Sequence, residues 1–575
     1  MEFRRRVVVV FAGFAGCLSA SCIGDGFVLE SQSAADTIFV GENIVTMDAS
    51  DREVEAVAVR GSLIAAVGRL DEVMALEGDQ TRIVNLGDRA LLPGFIDAHG
   101  HLLMLGQGLD SLSLHSPPVG DVESIEDIVR KIRSWIEDRG IAPGETVLGV
   151  GYDDSLLAEN RHPTRSDLDR ASTEHRIVLT HVSGHLRTAN SAALEASGIS
   201  ADTADPAGGH IRRREGSGEP NGVLEERAGG LILGGRRMPV TEEIGTVARR
   251  ALEVYASYGT TTVQDGYSSF EIADALRQSS ENEPFPVDVV VFTGFRTIED
   301  ADRALYEDDY SGGFRIAGVK FSLDGSPQGR TAWLTEPYTE GPPGAAKDYR
   351  AYGTLEPELY RAGAATLLRR GVPIIVHANG DAAIDLMLDG VEEAISSLET
   401  RPDHRAVIIH AQLMRADQVV RASELQVIPS FFSAHSFFWG DWHRRSFGDA
   451  RAENISPVRW AVDHGVRFTV HNDSPIVPPD IMKLVSITVN RTTRSGVVLG
   501  AHQRASVEEA LHAVTLGAAY QYFEEDVKGS ITTGKQADLV ILDANPLTSA
   551  IEHLADIRVL ETYSRGRSVF VAPQK

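Results

Sequence analysis

Short apolar runs recur along the middle of the chain, and many of them end in a polar residue or a glycine. Stretches with helical periodicity, such as 356–370 and 381–398, separate most of these runs. The pattern predicts an α/β fold with eight strands that alternate with helices, as a (β/α)8 TIM-like barrel requires. The predicted strands are 91–97, 260–265, 287–292, 316–321, 373–377, 406–410, 426–429 and 467–470.

Both flanks of this middle part have a different, strand-rich texture, with short apolar runs between glycine and aspartate turns. We expect residues 36–90 and 529–572 to build one small β-sandwich domain from both termini, and residues 91–528 to form the barrel. The gap of about 105–255 after the first barrel strand is too long for one helix. It predicts a large inserted subdomain or lid.

Residues 1–22 have the pattern of a secretory signal. Arginines 4–6 precede an apolar run at 7–16, which is too short to span a bilayer. Small residues then precede Cys22, as in a bacterial lipoprotein signal whose cysteine becomes the lipidated N-terminus. Cys17 ends a competing match, and ordinary cleavage after the small residues also fits. The sequence predicts export to the periplasm or anchoring to the membrane through an N-terminal lipid.

Charge and cysteine content narrow the functional classes. The chain has 82 acidic and 55 basic residues, a net charge of −27, which argues against nucleic acid or an anionic lipid surface as a partner. Both cysteines lie in the first 22 residues. The remaining chain therefore offers neither a disulfide framework nor a thiolate metal site.

Two histidines follow the first predicted barrel strand. His99 and His101 are two residues apart, so on an extended chain their side chains share a face and can reach one ion. Imidazole nitrogen suits Zn²⁺. Histidines buried in the core are the alternative interpretation.

The fourth predicted strand contains a lysine. Alternation along 316–321 points Lys320 into the barrel, away from the apolar face that meets the helices. A buried lysine is costly unless it is paired, neutral or chemically modified. An interior salt bridge is one way to meet this requirement.

Three further polar residues close predicted strands or follow them. His377 and His410 end the fifth and sixth strands, and Asp473 follows the eighth. Active sites of such barrels lie at the carboxyl ends of the strands. Each residue alone also fits a structural role, as a hydrogen-bonded core histidine or a turn-forming aspartate. Together they predict a nitrogen and oxygen donor set that suits one or two divalent metal ions, Zn²⁺ first, with Mn²⁺ and Fe²⁺ as alternatives.

This order of residues resembles the amidohydrolase superfamily, and the segment 93–101 is close to its strand-one signature. More specifically, the chain resembles the branch that includes N-substituted formamide deformylases, over about residues 36–572. The matching segments are 151–154, 161–169, 183–185, 222–226, 376–381, 410–412, 472–475 and 529–543.

The resemblance implies a (β/α)8 barrel with a small β-sandwich and a hydrolytic metal centre. By position, His99 and His101 would bind a first metal ion, and His377 and His410 a second. Lys320, carboxylated on its amine, would bridge the two ions, and Asp473 would complete the first site.

We therefore expect a metal-dependent amidohydrolase that cleaves a non-peptide carbon–nitrogen bond of N-acyl or N-formyl type in a small-molecule amide. Metal-activated hydroxide would attack the carbonyl carbon, and Asp473 would carry the proton to the leaving amine. His185 is a candidate donor to the oxyanion, or else a loop histidine with its own partner. A deaminase, dipeptidase or esterase on the same centre, or a non-catalytic surface-anchored binding protein, are the alternatives.

Several other residues are candidates for support or for substrate contact. Asp265 and Asp324 could hold the ligands in place or cap turns. An aromatic-rich loop could line an apolar pocket or pack as core; it contains His435, Phe437, Phe438, Trp439, Trp442 and His443. Arg491 and Arg494 could bind a carboxylate or lie on the surface.

Overall fold

The computed structural model describes residues 34–48, 54–232 and 241–573. The predicted signal at 1–22, with Cys17 and Cys22, lies outside these residues, so export and lipidation stay predictions. Within the described ranges, no helix has both the length and the apolar content of a membrane span.

One curled sheet of eight parallel strands forms the centre of the molecule, with its strands in chain order. The strands are Phe95–Ile96, Thr260–Ser268, Asp288–Gly294, Phe314–Ser322, Ile374–Ala378, Val407–His410, Ile428–Phe431 and Thr469–Val470. Backbone hydrogen bonds beyond the first and eighth strands bring their ends together: the amide of His101 donates to the carbonyl of Ser474 at 2.8 Å. The predicted (β/α)8 fold class is thereby confirmed.

The first predicted strand, 91–97, is the one that needs correction. Ala90–Pro93 pairs with Leu539–Leu542 in a separate antiparallel sheet, and only Phe95–Ile96 belongs to the barrel. Gly94 divides the run, and a Cβ atom there would lie 2.4 Å from the Thr261 hydroxyl oxygen. Both halves are apolar and buried, so their hydropathy does not distinguish the two sheets.

Helices cover the outside of the barrel because each presents an apolar face to the strands. Those at 357–369 and 381–396 confirm the two predicted helices. The helices of this part are Leu102–Gly108, Thr241–Ser257, Phe270–Asn282, Ile298–Arg303, Pro357–Arg369, Asp381–Ser396, Ala416–Leu425, His435–Phe438, Gly440–Phe447, Asp449–Ala452, Val458–Asp463, Ile481–Asn490, Val507–Ala513 and Leu516–Gln521.

Two four-stranded sheets from the chain flanks form the predicted small β-sandwich. Their inner faces share one apolar core, in which the ring of Phe39 meets that of Tyr563 edge to face at 5.1 Å. One sheet contains Thr37–Val40, Ala56–Arg60, Leu63–Gly68 and Arg82–Asn85; the other contains Ala90–Pro93, Leu539–Leu542, Val559–Ser564 and Arg567–Val571.

A six-stranded sheet lies between the first two barrel strands in sequence. Its strands are Leu112–Ser113, Thr146–Tyr152, Arg176–His181, Leu186–Ala189, Gly209–Arg213 and Pro220–Glu226, with helices Ile125–Arg139, Arg165–Asp169 and Ser191–Ala196. We call residues 112–232 the insertion. Helix Thr241–Ser257 falls inside the predicted range of 105–255, but it packs against the barrel helices Leu102–Gly108 and Phe270–Asn282.

Candidate metal centre

The six predicted ligands lie together at the carboxyl ends of the barrel strands. Parallel strands in one barrel place their carboxyl ends on the same face, so residues far apart in sequence meet there. The group consists of His99, His101, Lys320, His377, His410 and Asp473.

One half of this group is a triad of two imidazoles and a carboxylate. Oδ1 of Asp473 is 3.5 Å from Nε2 of His99 and 3.3 Å from Nε2 of His101. Gln264 holds the other nitrogen of His99, with 2.5 Å between Nδ1 and Oε1. Oδ1 of Asp473 is buried and forms no hydrogen bond of normal geometry within the described part of the chain. A cation between the three donors would satisfy it.

The other half is a histidine pair. Nδ1 of His377 and Nε2 of His410 are 3.0 Å apart, and their ring centroids are separated by 4.5 Å. Burial, together with neighbouring histidines and Lys320, lowers the pKa of both rings well below the ordinary value. Both rings are therefore neutral at pH 7, which is the form that binds metal.

Lys320 lies between the two halves and is almost completely buried. Its Nζ is 3.0 Å from Nε2 of His99, and it forms no ion pair with a described carboxylate. The described part of the chain therefore does not contain the interior salt bridge that the sequence left open for Lys320. Burial lowers the pKa of Lys320 to about 7, although the charge of Asp473 opposes this shift. A large fraction of the amine is then neutral at neutral pH.

Asp473 stays charged despite its position. Burial alone would raise its pKa, but the close approach and charge of His101, with the charges of His471 and Lys320, lower the pKa to about 2. Its backbone has a φ of 52°, in the left-handed region, so the chain turns sharply just beyond the eighth strand. This turn aims the carboxylate at His99 and His101.

One histidine of the centre was not among the residues predicted from the sequence. His471 is completely buried, with Nε2 3.1 Å from Nδ1 of His410 and Nδ1 2.9 Å from the hydroxyl of Ser430. Its ring centroid is 5.3 Å from that of His99. A signal was present, because His471 precedes Asp473 by two residues, the same spacing that drew attention to His99 and His101.

The insertion brings His185 to the second half of the centre. The rings of His185 and His377 have centroids 4.9 Å apart. Nδ1 of His185 is 2.7 Å from Oε2 of Glu226, a residue to which the sequence reasoning assigned no role. Burial alone would lower the pKa of His185, but Glu226 raises it above the ordinary value. Glu226 also accepts a hydrogen bond of 2.7 Å from the hydroxyl of Thr331.

The two predicted supporting aspartates differ in position. Asp324 accepts hydrogen bonds from three backbone amides and lies 3.5 Å from Nε2 of His377, so it adjoins a predicted ligand. Burial raises its pKa to about 7, against the effect of those amides. Asp265 accepts from the hydroxyl of Ser268 at 2.5 Å, and its backbone pairs with that of His101.

The aromatic loop packs mainly as core and as contact with the insertion. Trp439 donates from its indole nitrogen to Oδ2 of Asp153 at 2.7 Å, and His435 stacks on His443 with centroids 5.1 Å apart. Phe438 and Trp439 also line a small cavity together with Arg494. Most of this loop therefore does not face open space.

Arg491 has a structural role that the sequence did not indicate. Its side chain is completely buried and donates to the backbone carbonyls of Leu499, Ser456 and Ile455. It is therefore neither on the surface nor free to bind a carboxylate.

A cavity of about 680 Å³ lies beside the centre, between the insertion and the helices that follow the first barrel strand. Gly184 and Pro475 border it, next to His185 and two residues beyond Asp473. Much of its wall is apolar, with Met104, Leu105, Trp135, Leu148, Val182, Val247 and Ile476 among its residues.

The model of the amidohydrolase family matches residues 82–570 of this chain. The chain belongs to the amidohydrolase family. It is 28% identical over 549 residues to the N-substituted formamide deformylase of Arthrobacter pascens, covering 92% of this chain and 97% of that one. It is 27% identical over 559 residues to the protein LONG AFTER FAR-RED 3 of Arabidopsis thaliana, covering 93% and 92%.

The fold agrees with that of two solved structures. An uncharacterized metal-dependent hydrolase from Pyrococcus horikoshii has a TM-score of 0.69 and 23% identity, covering 90% of this chain and 99% of that one. A second one, from Pyrococcus furiosus, has a TM-score of 0.67 and 24% identity, covering 89% and 100%. Family membership and the cluster of His99, His101 and Asp473 identify a metal-dependent hydrolase.

Proposed function

We propose that this amidohydrolase cleaves a non-peptide carbon–nitrogen bond of the N-acyl or N-formyl amide type. The observation that supports this most directly is the converging donor set, with its buried and unsatisfied Asp473 oxygen, beside a largely apolar cavity. The relative from Arthrobacter pascens, a formamide deformylase by name, favours the same bond type.

The residues present fit one or two divalent ions, with Zn²⁺ as the first choice for this nitrogen and oxygen set. His99, His101 and Asp473 would hold one ion, and His377 with His410 the other. Lys320 lies between these groups, buried and without an ion pair to any carboxylate of the described ranges. If carboxylated, it would offer an anionic oxygen to each side. Bound ions would supply Lewis acidity, lowering the pKa of water from 15.7 to about 7 and polarising a carbonyl group.

A side chain of the protein would transfer the proton. Asp473, anionic at neutral pH, would accept a proton from the attacking water and deliver it to the amide nitrogen as the carbon–nitrogen bond breaks. The products are then a carboxylic acid, formic acid for a formamide, and an amine.

His185 would stabilise the negative charge that develops on the carbonyl oxygen. Although burial opposes ionisation of this ring, Glu226 raises its pKa, and the protonated ring would donate from Nδ1 to Glu226 and from Nε2 toward the centre. A fixed donor at this point needs little reorganisation during the reaction. Since His185 comes from the insertion, docking of the insertion on the barrel would complete the catalytic site.

The adjoining cavity favours a substrate with a bulky apolar group. Burying such a group would contribute about 25 cal/mol per Å² of apolar surface removed from water. The amide itself would then lie at the border formed by Gly184 and Pro475.

A substrate panel tests the proposal. N-substituted formamides, N-acyl amines, dipeptides, aminopurines and esters are incubated with the metal-loaded protein, with its chelated form and with that form reloaded with Zn²⁺. We expect equal amounts of acid and amine from an amide, lost on chelation and restored by Zn²⁺. Release of ammonia, or turnover of dipeptides or esters alone, would assign another chemistry to the centre. Fully loaded protein without any turnover would favour a binding protein.

A further inference from the structure

A second group of buried ligand-type side chains lies inside the insertion, apart from the six residues of the centre. Asp154, His162 and His181 each offer one donor atom, and these atoms lie within 4.8 Å of one another. They come from three separate segments: Asp154 follows the strand Thr146–Tyr152, His162 lies in the next loop, and His181 ends the strand Arg176–His181. All three are buried.

The spacing of the donor atoms suits a metal ion. Nε2 of His181 is 3.0 Å from Oδ1 of Asp154, and Nε2 of His162 is 3.5 Å from Oδ2 of the same carboxylate. Tetrahedral Zn²⁺ with bonds of 2.0–2.1 Å places neighbouring donors about 3.3–3.4 Å apart. The corresponding distances in the centre, from Asp473 to His99 and His101, are 3.5 and 3.3 Å. The two groups therefore have similar dimensions.

Hydrogen bonding alone leaves part of this arrangement unexplained. The separation of 3.5 Å between His162 and Asp154 exceeds that of a normal N–H···O hydrogen bond. The Nε2 atom of His162 and Oδ2 of Asp154 therefore face each other across a gap that an ion would fill.

The second nitrogen of each imidazole already has an oxygen partner. Nδ1 of His181 is 2.8 Å from the hydroxyl of Ser183 and accepts a hydrogen bond of 3.2 Å from the backbone amide of Ser183, and Nδ1 of His162 is 3.2 Å from the hydroxyl of Tyr152. With a metal bound, each Nδ1–H would donate to the neighbouring hydroxyl oxygen and each Nε2 would be free for the ion, the arrangement usual for metal-binding histidines. Both Nε2 atoms face Asp154 in this way.

The charges of the group are also those that ligands need. Burial opposes ionisation of Asp154, but His162, His181 and Arg212 together hold its pKa below the ordinary value, so it is anionic. Burial lowers the pKa of His162 to about 3, so this ring is neutral at pH 7. Arg212, the cation that adjoins the group, is paired with Glu225, which offsets its charge.

We propose that Asp154, His162 and His181 form a further metal site, selective for a Zn²⁺-type ion and with its fourth position open to water. Three segments of the insertion would then be tied together at one point. The site would also fix the loop that carries His185, because Ser183 bonds to the ring of His181 and accepts a hydrogen bond of 3.2 Å from the backbone amide of His185.

A thiolate placed in the group tests the proposal directly. In the full chain with His181→Cys, metal is removed with a chelator and Co²⁺ is added. We expect the variant to show a near-ultraviolet thiolate-to-cobalt absorption band in excess of any band of the parent. Cys17 and Cys22 are common to both proteins, so the difference reports on the new cysteine alone. His175→Cys is the matched control: His175 is also buried in the insertion, but its ring bonds to Ser172 and to the carbonyl of Ile141.

A measurement of the zinc content per chain is the second test, and it does not require the His181→Cys variant to fold. After loading with Zn²⁺ and gel filtration, the parent should hold one ion per chain more than Asp154→Asn, a substitution of nearly equal shape. Equal metal content in these two proteins would overturn the proposal, and so would a folded His181→Cys protein whose Co²⁺ spectrum matches that of His175→Cys. The three residues would then form a hydrogen-bonded network only.

Discussion

Replacement of His185 by alanine tests whether this residue takes part in catalysis without binding metal. The ring contributes no predicted metal ligand, yet its centroid is 4.9 Å from that of His377. We therefore expect His185→Ala to retain its full metal content and its binding of apolar substrate groups, and to lose turnover.

The size of the loss follows from the geometry. In the protonated ring, Nδ1 donates to Glu226 at 2.7 Å, so one donor is left, Nε2. Removal of one fixed donor to an oxyanion costs about 2.7–4 kcal/mol, which corresponds to 10²–10³ in kcat. Glu226→Gln keeps the ring but replaces a charge-assisted hydrogen bond of about 1.5–3 kcal/mol by a neutral one, so its effect should be smaller.

The assay measures kcat and KM on the best amide of the panel, with metal content determined on the same samples. His175→Ala is the matched control, a buried histidine of the insertion that faces away from the centre. Since Glu226 is a positioning residue, Glu226→Gln should have no further effect on kcat when His185 is already alanine. A kcat of His185→Ala within threefold of the parent at equal metal content would refute the proposed role.

Three further predictions concern other parts of the molecule. Asp473→Asn, assayed by the same method in the presence of excess Zn²⁺ to offset its weaker metal binding, should lose 10²–10⁴ in turnover because an amide cannot accept the proton. Asp288→Asn should lower the free energy of unfolding at pH 7 by about 1.5–3 kcal/mol, because it removes one of the two carboxylates that pair with the buried Lys528 and leaves Glu524. Although burial opposes ionisation of Asp288, its cationic neighbours lower its pKa in the folded state. Urea titrations should therefore show this difference shrinking only below about pH 4. Trp439→Phe loses the bond to Asp153 and should raise deuterium exchange at residues 150–156 of the insertion.

The sequence predicted most of the barrel because its strands are buried on both faces and read as short apolar runs between helices. The run 374–378, for example, is buried throughout and carries His377 near its carboxyl end. The same reasoning placed 91–93 in the wrong sheet, because a buried strand of the barrel and one of the small sandwich have the same hydropathy.

The candidate site was predictable where a chemically unusual residue ends an apolar run. A buried lysine or two histidines at one end of neighbouring strands stand out against their surroundings, and this identified Lys320, His377 and His410. His471 was missed although it directly follows the predicted strand 467–470, and Glu226 was missed because it ends a strand of the insertion that was not predicted. Only their distances to other side chains, 3.1 Å to His410 and 2.7 Å to His185, show where they belong.

What the sequence by itself determined is the order of strands and helices, the family resemblance and the types of ligand that the chain can offer. Its lack of cysteine beyond residue 22 restricts any metal site in the rest to nitrogen and oxygen donors. Only the tertiary structure decided which donors meet. Residues 99 and 473 are far apart in the chain, and they become neighbours because a barrel closes its first strand on its eighth; the insertion brings His185 to the same face by packing. The hydrophobic periodicity of a sequence indicates which side of a strand is buried, but it does not contain information about distances between strands far apart in the chain.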